Sequence, residues 1–361
     1  NPITTHPGSV AYLEKILLLE KADRAVRATG SDVKNLDLNY YDNDQRVVIA
    51  NSEGAWAEDR RVSSRVRVFP TLANETESTG YFVDFTRPAG FEAFQDEGYI
   101  DRALRAVGEM RASLRAPEAP YGRFPVVIEG GNPSGTFFHE CCGHQLETNQ
   151  PLLDNGVFLN RLGEKVASEK VTLVDDGTLP GCYGSSKFDD EGMPRQRNVL
   201  IENGVLKSYL ADRMGSSLLN VPRNACGRRE GYATPPAARM SNTYVACGGD
   251  DPDEMIRGIP QGLFITRMGG GNGDVDFSIL AQTAYWIKNG VLDRQVKRAM
   301  LMGRGDEAML KIDRVGRAMK YGENGMFCGG ESGLCPVTTS GARIRIEEML
   351  IGGKGGALSD D

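Results

Sequence analysis

The chain reads as an α+β protein. An N-terminal region of mixed helix and strand, residues 1–120, precedes a β-rich domain of antiparallel hairpins, residues 121–361, that carries a metal-binding helix. Up to Leu114, apolar residues recur with alternating helical and strand periods. After the proline-rich Pro117-Glu118-Ala119-Pro120 the texture changes to short apolar runs separated by glycines. Within this C-terminal region, a glutamate is flanked by two of the three histidines, in His139-Glu140-Cys141-Cys142-Gly143-His144.

Residues 9–29 predict a helix ending at Gly30, with Leu13, Ile16, Leu17 and Ala22 on or near one face. Residues 46–50 and 55–59 read as strands flanking the Ser52-Glu53-Gly54 turn, and residues 65–69 alternate polar and apolar as a half-exposed strand does. Ile100, Leu104, Val107, Met110 and Leu114 mark another helix, closed by Pro117 and Pro120, and this exit is the predicted domain boundary.

In the C-terminal region Val126-Val127-Ile128 predicts a buried strand, and Gly130 to Gly135 turn the chain into the histidine-bearing helix. Strand, glycine loop and helix in this order resemble a phosphate site, but no lysine follows the loop as a P-loop requires. The run Gly269-Gly270-Gly271-Asn272-Gly273 predicts tight turns or close strand approach rather than a nucleotide site. Ile201-Glu202-Asn203-Gly204-Val205-Leu206 and Ile287-Lys288-Asn289-Gly290-Val291-Leu292 each predict a β-hairpin, because Asn-Gly suits a two-residue turn. Their shared pattern fits either an old duplication or convergence on a common hairpin sequence.

Composition sets bounds. With 361 residues, 40% hydrophobic and 25% charged, the chain can bury one or two cores. No run approaches the roughly 18 apolar residues of a membrane span, and no signal-type N-terminus is present, so a cytoplasmic protein without membrane attachment is expected. Seven cysteines, an odd number with Cys141 and Cys142 adjacent, suit reduced thiols better than a disulfide framework. A net charge of −7 argues against direct binding to a nucleic-acid backbone.

A histidine pair with a glutamate beside the first supplies two neutral nitrogen donors for Zn²⁺ and one carboxylate to take a proton from water. On an undistorted helix the five-residue step from His139 to His144 sets the side chains about 140° apart, too far round to grip one ion. The helix must therefore deform. Gly143 is the residue expected to allow it, through a π-type bulge or as a helix end. Two core or surface histidines that happen to lie near a glutamate are the bland alternative.

Two histidines do not complete a zinc site, and His6 lies far upstream. The third ligand is then a cysteine or a carboxylate. Cys328 is the most attractive, because Asn324-Gly325-Met326-Phe327-Cys328-Gly329-Gly330 lets backbone approach closely. Cys142, three residues after His139, is the local rival, although free cysteines more often act as small buried hydrophobes.

Residues 138–147, Phe-His-Glu-Cys-Cys-Gly-His-Gln-Leu-Glu, resemble the signature H-E-x-x-G-H-x-L-E of the TldD/PmbA family of metallopeptidases, in its metal-bearing, TldD-like branch. The resemblance continues through Val174-Asp175-Asp176-Gly177-Thr178, residues 188–192, residues 199–204, Gly227-Arg228-Arg229-Glu230, Arg239-Met240-Ser241-Asn242-Thr243-Tyr244, the glycine run at 269–271 and Phe327-Cys328-Gly329. It spans residues 13–353. Several blocks in order are far more specific than one motif. The resemblance implies His139, His144 and Cys328 as zinc ligands and Glu140 as catalytic base. Gln145 and Asn149 depart from the usual pattern beside the site, which leaves the ligands intact but bears on substrate preference. The chain opens at Asn1 and is expected to lack the first segment of full-length relatives.

A zinc-dependent peptidase follows, acting on unfolded, extended or short peptides, including precursor peptides awaiting maturation. The resemblance also implies a dimer, with a second copy or with a related metal-free subunit. Arg228, Arg229, Tyr232 and Arg239 are candidate donors to the oxyanion or, equally, structural partners. A cysteine hydrolase built on Cys141 or Cys142 with His144, and a scaffold subunit with a structural zinc, are the alternatives from other classes.

Overall fold

The computed structural model describes residues 3–149, 154, 156–273 and 275–354; Asn1 lies outside them. The N-terminal region contains helix α1 (Tyr12–Arg27), strands β1 (Val33–Ala50), β2 (Trp56–Ala73), β3 (Ser78–Gly80) and β4 (Val83–Arg87), and helix α2 (Gly98–Ser113). Strands β1 and β2 form one long antiparallel hairpin around Asn51–Ala55, with Leu38 opposite Val68; β3 and β4 pair with β2. The short strands expected at 46–50, 55–59 and 65–69 thus belong to a pair of strands of 18 residues each.

Alternate residues of β2 from Val62 to Leu72 are buried, and α1 and α2 cover that face. The buried stripe of α1 is Leu18, Ala22 and Val26, at successive i+4 steps. Leu13 and Leu17, expected on that stripe, are 64% and 47% exposed, which corrects the expected face. The helix also starts at Tyr12, after a separate 3₁₀ turn Pro7–Ser9, because Pro7 restrains the entering chain. On α2, Val107 and Met110 are buried and Ile100, Leu104 and Leu114 pack beside them, as expected.

The C-terminal region opens with β5 (Tyr121–Ile128) and α3 (Asn132–Phe138). Short strands follow: β6 (Leu173–Asp176), β7 (Arg197–Glu202), β8 (Val205–Leu206), β9 (Gly227–Arg228), β10 (Ala237–Ala238) and β11 (Asn242–Val245). Next come β12 (Gln261–Gly273), β13 (Asp276–Lys288), β14 (Val291–Val296), β15 (Ala299–Arg304), β16 (Ile312–Lys320), β17 (Gly325–Cys328) and β18 (Cys335–Gly352). Strand β18 is the hub, pairing with β5, β11, β15, β16 and β17. The path β13-β12-β5-β18-β15 returns to β13, so these strands close into a ring with no free end. Most pairs are antiparallel; β5–β12 and β11–β18 are parallel.

Both Asn-Gly segments form hairpins: Asn203 and Gly204 have φ of 49° and 81°, and Asn289 and Gly290 have 51° and 77°. Positive φ at both central residues is what a type I′ turn requires. One hydrophobic cluster, including Val126, Ile128, Phe137, Phe138, Phe277 and Ile344, fills the C-terminal region, and another, including Val66, Leu72 and Met110, fills the N-terminal one. Ion pairs Arg61–Asp190 at 2.8 Å and Arg267–Glu109 at 2.9 Å tie the two regions together.

Candidate metal centre

Strand β5 delivers the chain to the site through the fully buried Val126, Val127 and Ile128. Gly131, at φ 89°, then turns it, and Pro133 opens α3. Helix α3 lies tightly on β18, for a Cβ added at Gly135 would stand 2.3 Å from the Ser340 amide nitrogen. The α-helix ends at Phe138. Residues His139–Gly143 continue as a π-helical turn and His144–Leu146 as a 3₁₀ turn. The wider turn does for a five-residue step what an α-turn does for four, so both histidines face the same way.

Gly143 permits this for a different reason from the one expected. Its φ of −58° is ordinary helix, but an added Cβ would lie 2.3 Å from Met240 Sδ and 3.4 Å from the Phe138 carbonyl oxygen. The missing side chain provides room, and no unusual backbone angle is involved. Gly273 and Gly271 act likewise at the end of β12. An added Cβ at Gly273 would be 2.5 Å from the Glu140 carbonyl oxygen and 2.8 Å from His144 Cδ2; at Gly271 it would be 3.1 Å from Glu140 Cγ. The glycine run is a close strand approach to the histidine turn.

Strand β17, paired to β18 with Cys328 opposite Cys335, brings the third donor. Cys328 Sγ lies 3.2 Å from His139 Nε2 and 3.4 Å from His144 Nε2, and the three potential ligand atoms fall within 4.8 Å of one another. A tetrahedral ion with bonds of about 2.0–2.3 Å to nitrogen and sulfur separates its donors by roughly 3.5 Å; both approaches of Cys328 match this, and the imidazole nitrogens, within 4.8 Å of each other, would close around the ion. The imidazole planes are nearly perpendicular, at 83°. No fourth histidine, cysteine or carboxylate joins the group among the described residues.

Burial alone would raise the Cys328 thiol, but His139 and then His144 outweigh it and bring it down to about 5. It therefore favours the thiolate that a metal needs. Glu140 is half-buried, lines the same cavity, and accepts no hydrogen bond among the described residues. The cavity is about 1450 Å³ and runs from the histidines past Gly269–Gly273 to Arg102, Arg267 and Glu323.

Glu147 went unassigned in the sequence, although its place three residues after His144 was a usable signal. Its buried carboxylate lies 3.0 Å from His144 Nδ1 and accepts the Met240 amide at 2.8 Å. Burial opposes its ionisation, yet His144 and Arg239 together hold its pKa below the ordinary value. Arg239, a candidate oxyanion donor, gives Nη2 to the Cys328 carbonyl at 2.7 Å and Nη1 to the Gly333 carbonyl at 3.0 Å. It supports the ligand loop. Arg228 donates to the Met240 and Pro336 carbonyls, Arg229 bonds through its amide to Asp190, and Tyr232 is 95% exposed. None of these three lines the cavity.

His6 lies away from the site, against Asp44 and Arg60. Cys142 is fully buried in the hydrophobic cluster, as is Cys141, which sits 3.8 Å from Met309 Sδ. Burial first, and Cys142 next, push the Cys141 thiol well above its usual value, so it is a poor nucleophile.

Comparison with known proteins matches residues 5–111 to the PmbA/TldA metallopeptidase central domain and residues 121–353 to the PmbA/TldA metallopeptidase C-terminal domain. A metalloprotease TldD homologue of Buchnera aphidicola (subsp. Schizaphis graminum) is 32% identical over 98% of this chain and 74% of its own. Among solved structures, a Thermotoga maritima protein whose name proposes it as a modulator of a DNA gyrase superposes with a TM-score of 0.76. It is 20% identical and covers 97% of this chain and 77% of its own. TldE from Thermococcus kodakarensis gives 0.72 at 18% identity, covering 98% and 77%. At these identities the two structures establish the β-rich fold alone.

Proposed function

The chain belongs to the PmbA/TldD family of metallopeptidases, and from that premise we propose that it is a zinc-dependent peptidase acting on unfolded or short peptides, including precursor peptides. In this reading His139, His144 and Cys328 hold the metal and Glu140 is the base. The observation that carries it is the approach of Cys328 Sγ to both histidine Nε2 atoms, across more than 180 residues of sequence, at the wall of a peptide-sized cavity.

When bound, zinc supplies Lewis acidity, polarising a carbonyl and acidifying water. Glu140, on the same turn as His139, takes the proton from the attacking water and returns it to the departing amine. Glu147 holds the His144 ring so that Nε2 faces the metal position. Beyond Ile265, β12 separates from β5 and, among the described residues, pairs only with β13, so its other edge has no partner strand where it passes Glu140. That edge supports an extended peptide adding as a strand, held by main-chain hydrogen bonds and therefore tolerant of sequence. Residues 1–120 and 121–361 are proposed as separate domains, each with its own hydrophobic cluster.

A dimer with a second copy or with a metal-free relative belongs to the proposal. So does a cytoplasmic setting; no described helix is long and apolar enough to cross a membrane. Direct nucleic-acid binding is not proposed, given the net charge of −7.

Metal analysis combined with peptide cleavage, for the native chain and Glu140→Gln, tests the reading. About one zinc per chain is expected in both proteins, with turnover abolished by the substitution. Cleavage that survives Glu140→Gln removes the base, and cleavage that survives chelation removes the metal.

A further inference from the structure

The wall of the cavity beyond the glycine run is crowded with guanidinium groups. Arg67 from β2, Arg102 from α2 and Arg267 from β12 line it, with Glu323 beside them. Arg65 and Arg87 stand behind. The carboxylates that answer them are too few. Asp84 is shared, accepting from Nε and Nη2 of Arg65 at 3.0 and 2.7 Å and of Arg67 at 2.8 and 2.9 Å. Glu109 pairs with Arg267 at 2.9 Å and Glu323 with Arg102 at 2.9 Å. Arg87 spends its donors on the Thr86 and Glu323 carbonyls. Five guanidiniums thus face three carboxylates.

This surplus is not in open water, where it would cost little. The side chains of Arg65, Arg102 and Arg267 are 13%, 15% and 22% exposed. Burial, and after it the neighbouring Arg267, push Arg102 down to about 10. Arg102 Nε is buried without a hydrogen-bond partner. The carboxylate that does reach Arg102 is the replaceable one, since the Glu323 side chain is 69% exposed on the loop between β16 and β17.

We propose that this arginine wall is a carboxylate-binding subsite of the peptide groove, and that the enzyme prefers acidic peptides. The inference rests on the peptidase reading above and names its substrate class. A ligand carboxylate displaces Glu323, engages the Arg102 guanidinium through two parallel N–H donors, and cancels charge that the fold leaves uncompensated. The carboxylate belongs to an Asp or Glu side chain or to a peptide C-terminus; the chemistry of recognition is the same.

The test reads binding, so it does not depend on turnover. Zinc-loaded, full-length Glu140→Gln protein is titrated, by fluorescence anisotropy, into three labelled unstructured peptides. One carries glutamates and an amidated C-terminus, one has glutamines in their place and is amidated, and one is the glutamine peptide with a free terminal carboxylate. At least one acid-bearing peptide is expected to bind about tenfold tighter than the amidated glutamine peptide, as a charge-assisted pair allows. Which one does so identifies the source. Arg102→Met shrinks that advantage and Glu323→Gln, on an exposed side chain, enlarges it. Equal affinity for all three peptides overturns the proposal, as does an advantage that neither substitution changes. Failure of the peptidase reading looks different: the native chain cleaves none of the peptides.

Discussion

His144 Nδ1 and Glu147 Oε2 are 3.0 Å apart, and the carboxylate that makes this contact is almost completely buried. Glu147 also faces Arg239 Nε at 3.6 Å, and Arg239 reaches on to the Cys328 carbonyl at 2.7 Å. One carboxylate and one guanidinium therefore connect two of the three potential ligands. A ligand histidine held through its second nitrogen keeps its tautomer and ring orientation.

Replacing Glu147 by Gln keeps the shape but removes the charge. Metal affinity, measured by competition with a chromogenic chelator, is expected to fall about 10–100-fold. The single amide oxygen can still accept the Met240 N–H, but the NH₂ group then faces His144 Nδ1 and cannot accept its proton, so the ring loses its orienting acceptor while the side-chain volume is kept. Unchanged affinity would show that the carboxylate does not orient the ring.

Gly143→Ala places a methyl 2.3 Å from Met240 Sδ. Met240 is buried but flexible, so the expected loss is about 1–3 kcal/mol in urea unfolding, the usual range for overpacking. A stability equal to that of the native chain would contradict the packing role assigned to this glycine.

Glu129, at the end of β5, receives Arg343 at 2.7 Å and Lys320 at 3.0 Å. Burial opposes its ionisation, but Arg343 and Lys320 prevail and its pKa lies below the ordinary value. A carboxylate lowered on folding stabilises the fold above its unfolded pKa of about 4.3, and that contribution disappears as pH falls through the lower folded value. Glu129→Gln should therefore cost about 1–3 kcal/mol at pH 7 and progressively less toward pH 3, as followed by denaturant unfolding. A deficit that stays constant across that range would exclude the electrostatic origin.

The histidine turn was legible because its constraint is local: a five-residue spacing cannot serve one ion on an α-helix, and the chain widens its turn at that place. The Asn-Gly hairpins were legible for the same kind of reason, since positive φ at two successive residues selects few residue types. The buried stripe of α1 was not. Leu13, Ile16 and Leu17 satisfy helical periodicity as well as Leu18, Ala22 and Val26 do, and only packing against β1 and α2 distinguishes them. Gly143 was recognised as necessary but for the wrong property, because the neighbour it makes room for, Met240, is almost a hundred residues away.

By itself the sequence determined the order of elements in the two regions, the deformed helix with His139, Glu140 and His144, and, through family motifs, the expectation of Cys328 as their companion. Tertiary structure alone decided that β17 lays Cys328 against both imidazoles, that Glu147 and Arg239 brace them, and that Gly271 and Gly273 let a strand close over Glu140. The physical reason is range. Backbone geometry within one turn follows from a handful of neighbouring residues, whereas donor atoms a few ångströms apart and nearly two hundred residues distant in sequence are brought together only by sheet pairing and core packing around them.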